Sequence, residues 1–185
     1  MTRRRWAIAS LLGLAALWAV VQTLQGWQLA QSRGGGADFA SYYWAYQAAV
    51  LGLDPYSAEG IRDAIRAANV RSGAHPFFYP PPFLLAMTWI GERSLDQAYR
   101  LWFWVDVLAT MVCAGVLAAW WRRIHRSWMW LVFASFCVMG AVANNHPMGQ
   151  VNLPVLALVV MALWADDEDK PVAAGVCMGL SLIHI

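Results

Sequence analysis

The stretch DFASYYWAYQAAVLGLDPY, residues 38–56, places one carboxylate and a row of aromatic side chains between an apolar segment and a polar loop. It follows three glycines at positions 34–36, so a helix can begin here with Asp38 near its positive end. The next residues recur at roughly helical spacing, and the apolar ones are Phe39, Tyr42, Tyr43, Tyr46 and Val50. This pattern predicts a short amphipathic helix on a membrane surface, with Asp38 at the boundary between water and lipid.

The composition is that of a membrane protein. Of the 185 residues, 60% are hydrophobic and only 13% are charged, and 12 are tryptophan. A soluble domain of this length rarely carries so little charge. We therefore expect an all-α, polytopic membrane protein. The net charge of +2, without a basic cluster among exposed aromatic residues, argues against a nucleic-acid partner.

The cysteines and the motif content argue against metal or redox chemistry. Cys113, Cys137 and Cys177 are unevenly spaced and lie in apolar runs, which indicates buried, unpaired thiols. No stretch has metal-ligand or nucleotide-binding spacing, and no Ser-His-Asp pattern can be assigned. We expect no metal ligands among the candidate site residues and no cofactor, while the sequence leaves a metal requirement of the enzyme open.

The apolar runs predict several membrane spans, since about 20 residues cross a bilayer. Three arginines precede the first run, which places the amino terminus in the cytoplasm by the positive-inside rule. A signal peptide is the minority alternative for this run. The expectation is a multi-pass protein of the cell membrane with residues 31–94 as its first outer loop. The predicted spans are residues 6–29, 95–121, 127–143 and 151–165, with a further span starting at 172–185.

Two features shape the predicted outer loop. Asp54, Pro55 and Tyr56 form a turn that ends the first surface helix. A second, interfacial helix is predicted over residues 58–70, because its apolar and charged residues fall on opposite faces. Ser94 and Gln97 have the spacing of a capping box, so the next helix should begin at residue 95.

The proline-rich stretch HPFFYPPPF, residues 75–83, leaves the topology open. The apolar segment after it has only about ten residues, so it is either re-entrant or a short tilted helix. If the proline-rich segment crosses the membrane fully, the basic cluster of residues 122–126 lies outside the cell. If the segment enters the membrane and returns to the same side, the cluster lies in the cytoplasm, as is usual for short positively charged loops. We prefer the second arrangement. It brings the polar residues 144–152 to the same outer face as Asp38.

Three polar groups interrupt the apolar sequence and are candidates for chemistry. They are Asp38, the Tyr79 corner before the prolines, and the segment from His146 through Gln150 to Asn152. Amides and a histidine at a span boundary can bind a sugar or a phosphate. The structural alternatives are a helix cap for Asp38, a stiff loop for Tyr79, and capping or interhelical hydrogen bonds for the third group.

Read in order, these stretches resemble glycosyltransferase family 87 of the GT-C superfamily. The shared motifs are DFxxYYxA, LGLDPY, FxYPPPF, GQVN and AGVxxGLS, and they span residues 38–180. The resemblance implies a GT-C-type helical bundle, here truncated. It also implies an enzyme that moves a hexose, expected to be mannose, from a polyprenyl-phosphate donor to a lipid or glycan acceptor on the outer face.

The same resemblance implies roles for individual residues. Asp38 matches the aspartate of the first outer loop that is proposed as general base, a role that suits a carboxylate beside an attacking hydroxyl. The residues expected to bind substrate are Tyr42, Tyr43, His75, Tyr79, His146, Gln150 and Asn152. The alternative function is a non-enzymatic membrane protein, such as a transporter or flippase subunit, in which Asp38 only caps a helix.

The chain stops inside an apolar run at residues 180–185, without a polar flank. We therefore interpret it as the amino-terminal fragment of a longer enzyme, inactive by itself, and treat a non-native origin of the last six residues as open.

The preferred topology predicts that residue 124 faces the cytoplasm. A single cysteine at Ile124→Cys, in a chain without the three native cysteines, should resist a membrane-impermeant thiol reagent added outside intact cells and react after the cells are opened. Labelling in intact cells would contradict the re-entrant arrangement.

Overall fold

The structure is a computed structural model that describes residues 3–32, 36–73, 75–124 and 129–182. The regular secondary structure in these residues is helical, without a strand, which confirms the all-α class. A short 3-10 helix, Thr88–Ile90, follows the α-helix Pro81–Ala86. The α-helices are α1 Arg3–Ser32, α2 Ala37–Val50, α3 Ala58–Ala67, α4 Pro81–Ala86, α5 Leu95–Ile124, α6 Met129–Cys137, α7 Gly140–Met148, α8 Asn152–Asp167 and α9 Pro171–Leu182.

Within the described ranges, α5 is the helix that is long and apolar enough to cross a membrane. The predicted spans at 6–29, 127–143, 151–165 and 172–185, the polytopic bundle and the cytoplasmic amino terminus therefore remain predictions. Glycines 34 and 35, part of the basic cluster at 125–126, and residues 183–185 lie outside the described residues.

The first predicted helix is present but is not a surface helix. Every residue of α2 from Phe39 to Ala45 is buried, so all sides of its first half are covered. The prediction of one apolar face on a membrane surface was wrong in this respect. The physical reason is that α3, α4 and α5 pack around α2, and the proline-rich segment runs along it. α2 ends at Val50, and Gly52 has a positive φ of 73°. The helix therefore ends before the turn that was predicted at residues 54–56.

The second predicted helix, α3, is amphipathic as expected. Ser57 caps it by accepting a hydrogen bond from the Gly60 N–H at 2.9 Å. Ile61 and Ala64 are buried against α2, while Arg62 is exposed. The helix ends at Ala67, three residues earlier than predicted, because the chain turns at Asn69 with a φ of 52°.

The proline-rich segment ends in a short helix packed onto α2. Pro80 is extended and precedes α4, where two prolines take the first positions that need no donor. Phe83, Met87 and Ile90 are buried in the same apolar cluster as Phe39. α5 then starts with the predicted capping box, in which the Gln97 N–H donates to Ser94 Oγ at 3.3 Å and the Ser94 N–H donates to Gln97 Oε1 at 3.2 Å.

Two helices occupy the region where one span and a polar loop were predicted. α6 ends at Cys137, and α7 begins at Gly140 after a break. Residues 144–148 are therefore helical, and the predicted loop is reduced to a tight turn. α7 ends in a Schellman motif, because Gly149 has a φ of 67° while Gly149 N–H donates to His146 O and Gln150 N–H donates to Asn145 O.

The remaining helices pack in pairs. α1 lies against α6 and α7, α5 against α6 and α8, and α8 against α9. At one end of α5 the Arg123 guanidinium pairs with Asp167 and Glu168. A hydrogen bond from Trp120, together with Arg123, lowers the pKa of Asp167. The basic end of α5 and the acidic end of α8 thus lie together. Cys113 is buried, Cys137 and Cys177 are half-buried, and all three are free.

Gly149 allows close packing that an alanine cannot keep. A Cβ there would lie 2.7 Å from Phe39 Cβ, and the positive φ disfavours any other residue. We expect Gly149→Ala to destabilise the fold by at least about 1 kcal/mol, seen as a lower melting temperature in detergent. Gly115→Ala in α5 is the control, since nothing lies within 4 Å of its added Cβ. Equal melting temperatures for the two variants would contradict this packing.

Candidate active site

Asp38 lies in the first turn of α2, two residues after the N-cap Gly36. Gly36 offers no side chain to the free N–H groups of this turn, so the Asp38 carboxylate is the negative group nearest the positive helix end. The carboxylate is half-buried, and none of the described residues forms a hydrogen bond or ion pair with it.

One helical turn further, Tyr42 extends the same face of α2. Its hydroxyl lies 3.1 Å from the Tyr79 hydroxyl, and the two rings meet edge to face at 5.1 Å. Burial, reinforced by Tyr79 and by the charge of Asp38, raises the pKa of Tyr42 well above its ordinary value. The backbone N–H of Val151 opposes part of this shift. Tyr42 therefore keeps its proton, and its hydroxyl lies close enough to the Asp38 carboxylate to be affected by that charge.

The turn formed by residues 149–152, called the 149–152 turn below, closes on the start of α2. A Cβ on Gly36 would lie 2.9 Å from the Met148 carbonyl oxygen, and one on Gly149 would touch Phe39. This turn also carries Gln150 and Asn152, whose side-chain amides bond to each other at 2.8 Å. The structure thus brings Asp38, Tyr42, Tyr79 and this turn to one corner of the molecule.

His146 does not join this corner. It is 4% exposed and lies in α7 with its Cβ and the neighbouring Pro147 against Gly26 of α1. Its nearest charged neighbour is Asp106 of α5, with Nδ1 at 3.9 Å from Oδ2. Helix formation over residues 144–148 turned this side chain inward, so it occupies the interior and not a surface that a ligand can reach.

Sequence reasoning missed Asp106. It is 0% exposed and accepts a hydrogen bond from Asn145. The signal was present in the sequence, since it is the carboxylate that interrupts the apolar text LWFWVDVLATMV. An acid inside an apolar helix is expensive and marks a functional or structural site.

Tyr43 and His75 also lie apart from the Asp38 corner. The Tyr43 hydroxyl donates to the Arg93 carbonyl at 2.9 Å, on a different face of α2. His75 is exposed, and its backbone N–H, not its ring, binds Ser41 Oγ at 2.8 Å. Tyr43 instead lines a half-open cavity of about 440 Å³, together with Trp44, Arg71 and Asp96.

No three His, Cys, Asp or Glu side chains come together as a metal site in the part of the chain that the structure describes. The polar groups at the corner are the Asp38 carboxylate, the two tyrosine hydroxyls and the two side-chain amides. Such groups can accept a proton and bind the hydroxyls of a sugar.

The sequence model of glycosyltransferase family 87 matches residues 77–183, which is more than half of the chain. The chain belongs to glycosyltransferase family 87. This membership, with the apolar helix α5, identifies it as a membrane glycosyltransferase. No curated protein and no solved structure matches the chain.

The matched range divides the predicted site residues into two groups. Tyr79, His146, Gln150 and Asn152 lie within it. Asp38, Tyr42, Tyr43 and His75 precede it, so their roles depend on the motif resemblance and on their position in the fold. All eight roles remain predictions.

The raised pKa of Tyr42 predicts an alkaline instability. Above pH 10.0, the ordinary pKa, the unfolded chain loses this proton whereas the folded chain keeps it, so stability is lost as the pH rises. We expect the melting temperature in detergent to fall less between pH 8 and pH 11 in Tyr42→Phe than in the unmodified chain. An equal fall in both would contradict the prediction.

Proposed function

We propose that this glycosyltransferase transfers a hexose, most readily mannose, from a polyprenyl-phosphate donor to a hydroxyl of a lipid or glycan acceptor. The reaction takes place at the outer face of the cell membrane. Family membership supports sugar transfer. The donor, the sugar and the acceptor are inferences from the motif resemblance and from a site that lies beside apolar helices.

The observation that supports the proposal is the position of the Asp38 carboxylate, which has no hydrogen bond or ion pair among the described residues and acts electrostatically on the Tyr42 hydroxyl, itself bonded to Tyr79. Asp38 accepts the proton of the acceptor hydroxyl as that oxygen bonds to the anomeric carbon of the sugar. The bond between this carbon and the polyprenyl phosphate breaks at the same time, and the phosphate leaves with the electron pair. The phosphate already carries negative charge and therefore requires hydrogen-bond donors, not a strong acid.

The corner supplies such donors for the substrate. The amides of Gln150 and Asn152 stand on the 149–152 turn, and the Tyr79 hydroxyl is half-buried beside Tyr42. Arg71 and His75 are exposed on the segment between α3 and α4, where they can bind a negatively charged group of the substrate. Neither His146 nor Tyr43 is given a direct role, because both point away from Asp38.

The alternative of a transporter or flippase subunit has less support. It treats Asp38 as a helix cap only, but Gly36 holds the cap position and Asp38 lies within the helix. The family match also indicates an enzyme.

The test is transfer from labelled polyprenyl-phosphate mannose in membranes that contain the complete gene product. Asp38→Asn should lose about 100-fold or more of the rate, the usual effect of removing a general base. Asp54→Asn is the matched control, since Asp54 is an exposed acid at the other end of the α2 region and its turn also suits asparagine.

Each remaining outcome is informative. Equal rates for Asp38→Asn and the unmodified protein would remove Asp38 from the chemistry. Absence of transfer from both, at normal protein levels, would contradict mannose as the sugar, and polyprenyl-phosphate glucose in the same assay would then show whether the lipid-phosphate donor class is right.

A further inference from the structure

α5 carries a carboxylate deep inside its apolar sequence. Asp106 is eleven residues after the first residue of α5, about 16 Å along the helix axis. It is completely buried. A carboxylate in such a place costs free energy unless it has partners or a function. The proposed chemistry at Asp38 does not use it.

Asp106 is linked to the end of α7 through one amide. Asn145 Nδ2 donates to Asp106 Oδ2 at 3.0 Å and also to the Gln150 carbonyl oxygen at 3.1 Å. An amide nitrogen carries two hydrogens, so both bonds can exist together. Asn145 thus connects Asp106 of α5 to Gln150, the residue that follows Gly149.

Two other side chains on the same face of α5 bind the neighbouring carbonyls. The Tyr99 hydroxyl donates to His146 O at 2.5 Å, and Trp102 Nε1 donates to Gly149 O at 2.9 Å. Positions 99, 102 and 106 are spaced three and four residues apart, so they form one stripe along the helix. The stripe holds the carbonyl end of α7, which otherwise has free acceptors.

Stability alone does not account for a carboxylate at this position. Asp106 Oδ1 and His146 Nδ1 are both buried without a hydrogen-bond partner in the described part of the chain. A buried polar atom without a partner is destabilising. An apolar side chain would avoid that cost, but it could not accept the hydrogen bond from Asn145.

We propose that Asp106 is a positioning residue, which through Asn145 fixes the 149–152 turn against the face of α2 that carries Asp38. The turn bears Gln150 and Asn152, and Val151 of the same turn acts on the Tyr42 hydroxyl. Without the hydrogen bond from Asn145 to Asp106, the 149–152 turn no longer keeps its position against α2. The kinetic consequence rests on the proposed function, whereas the structural consequence does not.

The kinetic test compares Asp106→Leu and Asp106→Asn in the complete gene product with polyprenyl-phosphate mannose as donor. Leucine cannot accept the Asn145 hydrogen bond, so the KM for the donor should rise about tenfold or more. Asparagine keeps an acceptor oxygen, so its KM and kcat should stay within about threefold of the unmodified enzyme. Thr110→Val is the control on the same helix, because among the described residues the Thr110 hydroxyl bonds to the Asp106 carbonyl of α5 and not to its carboxylate.

The structural test does not depend on the donor. A spin label on Asn152→Cys, in a chain without the native cysteines, should become more mobile with Asp106→Leu and with Asn145→Leu, and not with Thr110→Val. The double variant should be little more mobile than either single one, because both remove the same link. Should Asp106→Leu fail to give a cooperative melting transition, Asn145→Leu decides the same question.

The two proposals fail in different ways. No transfer by any variant or by the unmodified enzyme would count against the donor, while the spin label would still decide the role of Asp106. An unchanged label spectrum in Asp106→Leu would overturn the positioning role whatever the rate. Asp106→Asn as inactive as Asp106→Leu would also overturn it, since that result indicates proton transfer by the acid itself.

Discussion

The contact between the start of α2 and the end of α7 is the constraint on which the candidate site depends. Gly36 and Gly149 meet there with positive φ angles, and a Cβ at either position would overlap its neighbours. The two glycines let one backbone approach the other closely enough for side chains of α2 and of the 149–152 turn to share a corner. A wider separation would leave Asp38 facing only solvent or lipid. The local cost of glycine flexibility is offset by the tight turn that it permits.

Aromatic packing then makes this corner stiff. Phe39, next to Asp38, lies between the rings of Tyr99 and Trp102 at centroid distances of 5.5 and 5.6 Å. Tyr42 is edge-on to Phe83 at 5.1 Å. Each such pair contributes about 0.5–1.5 kcal/mol beyond area burial, and the rings lose little rotamer freedom. A carboxylate on such a helix has a fixed position, which is what a base must have before the substrate arrives.

Local signals in the sequence predicted local structure well. The capping box at Ser94 and Gln97 and the amphipathic α3 appear where they were expected, because both depend on residues within a few positions of one another. The burial of α2 on all sides was not predictable from its spacing, since it depends on three helices that come later in the chain. The position of His146 was not predicted, because the polar residues 144–148 were expected to form a loop. They form the end of α7, and this helix contains Pro147 next to its last residue. Asp106 was overlooked because Asn145, which donates a hydrogen bond to its carboxylate, is 39 residues away.

That distance along the chain also has a consequence for how the protein is made. The ribosome completes Asp106 before Asn145, so α5 reaches the membrane with an acid that has no partner yet. An acid at the centre of a spanning helix disfavours insertion by about 2.5–3.5 kcal/mol, and the apolar residues around it must outweigh that cost. Only when α7 arrives does the carboxylate gain its hydrogen bond. The placement of α5 therefore depends on a helix that follows it in the chain, because the Asn145 hydrogen bond to Asp106 cannot form before α7 has been made.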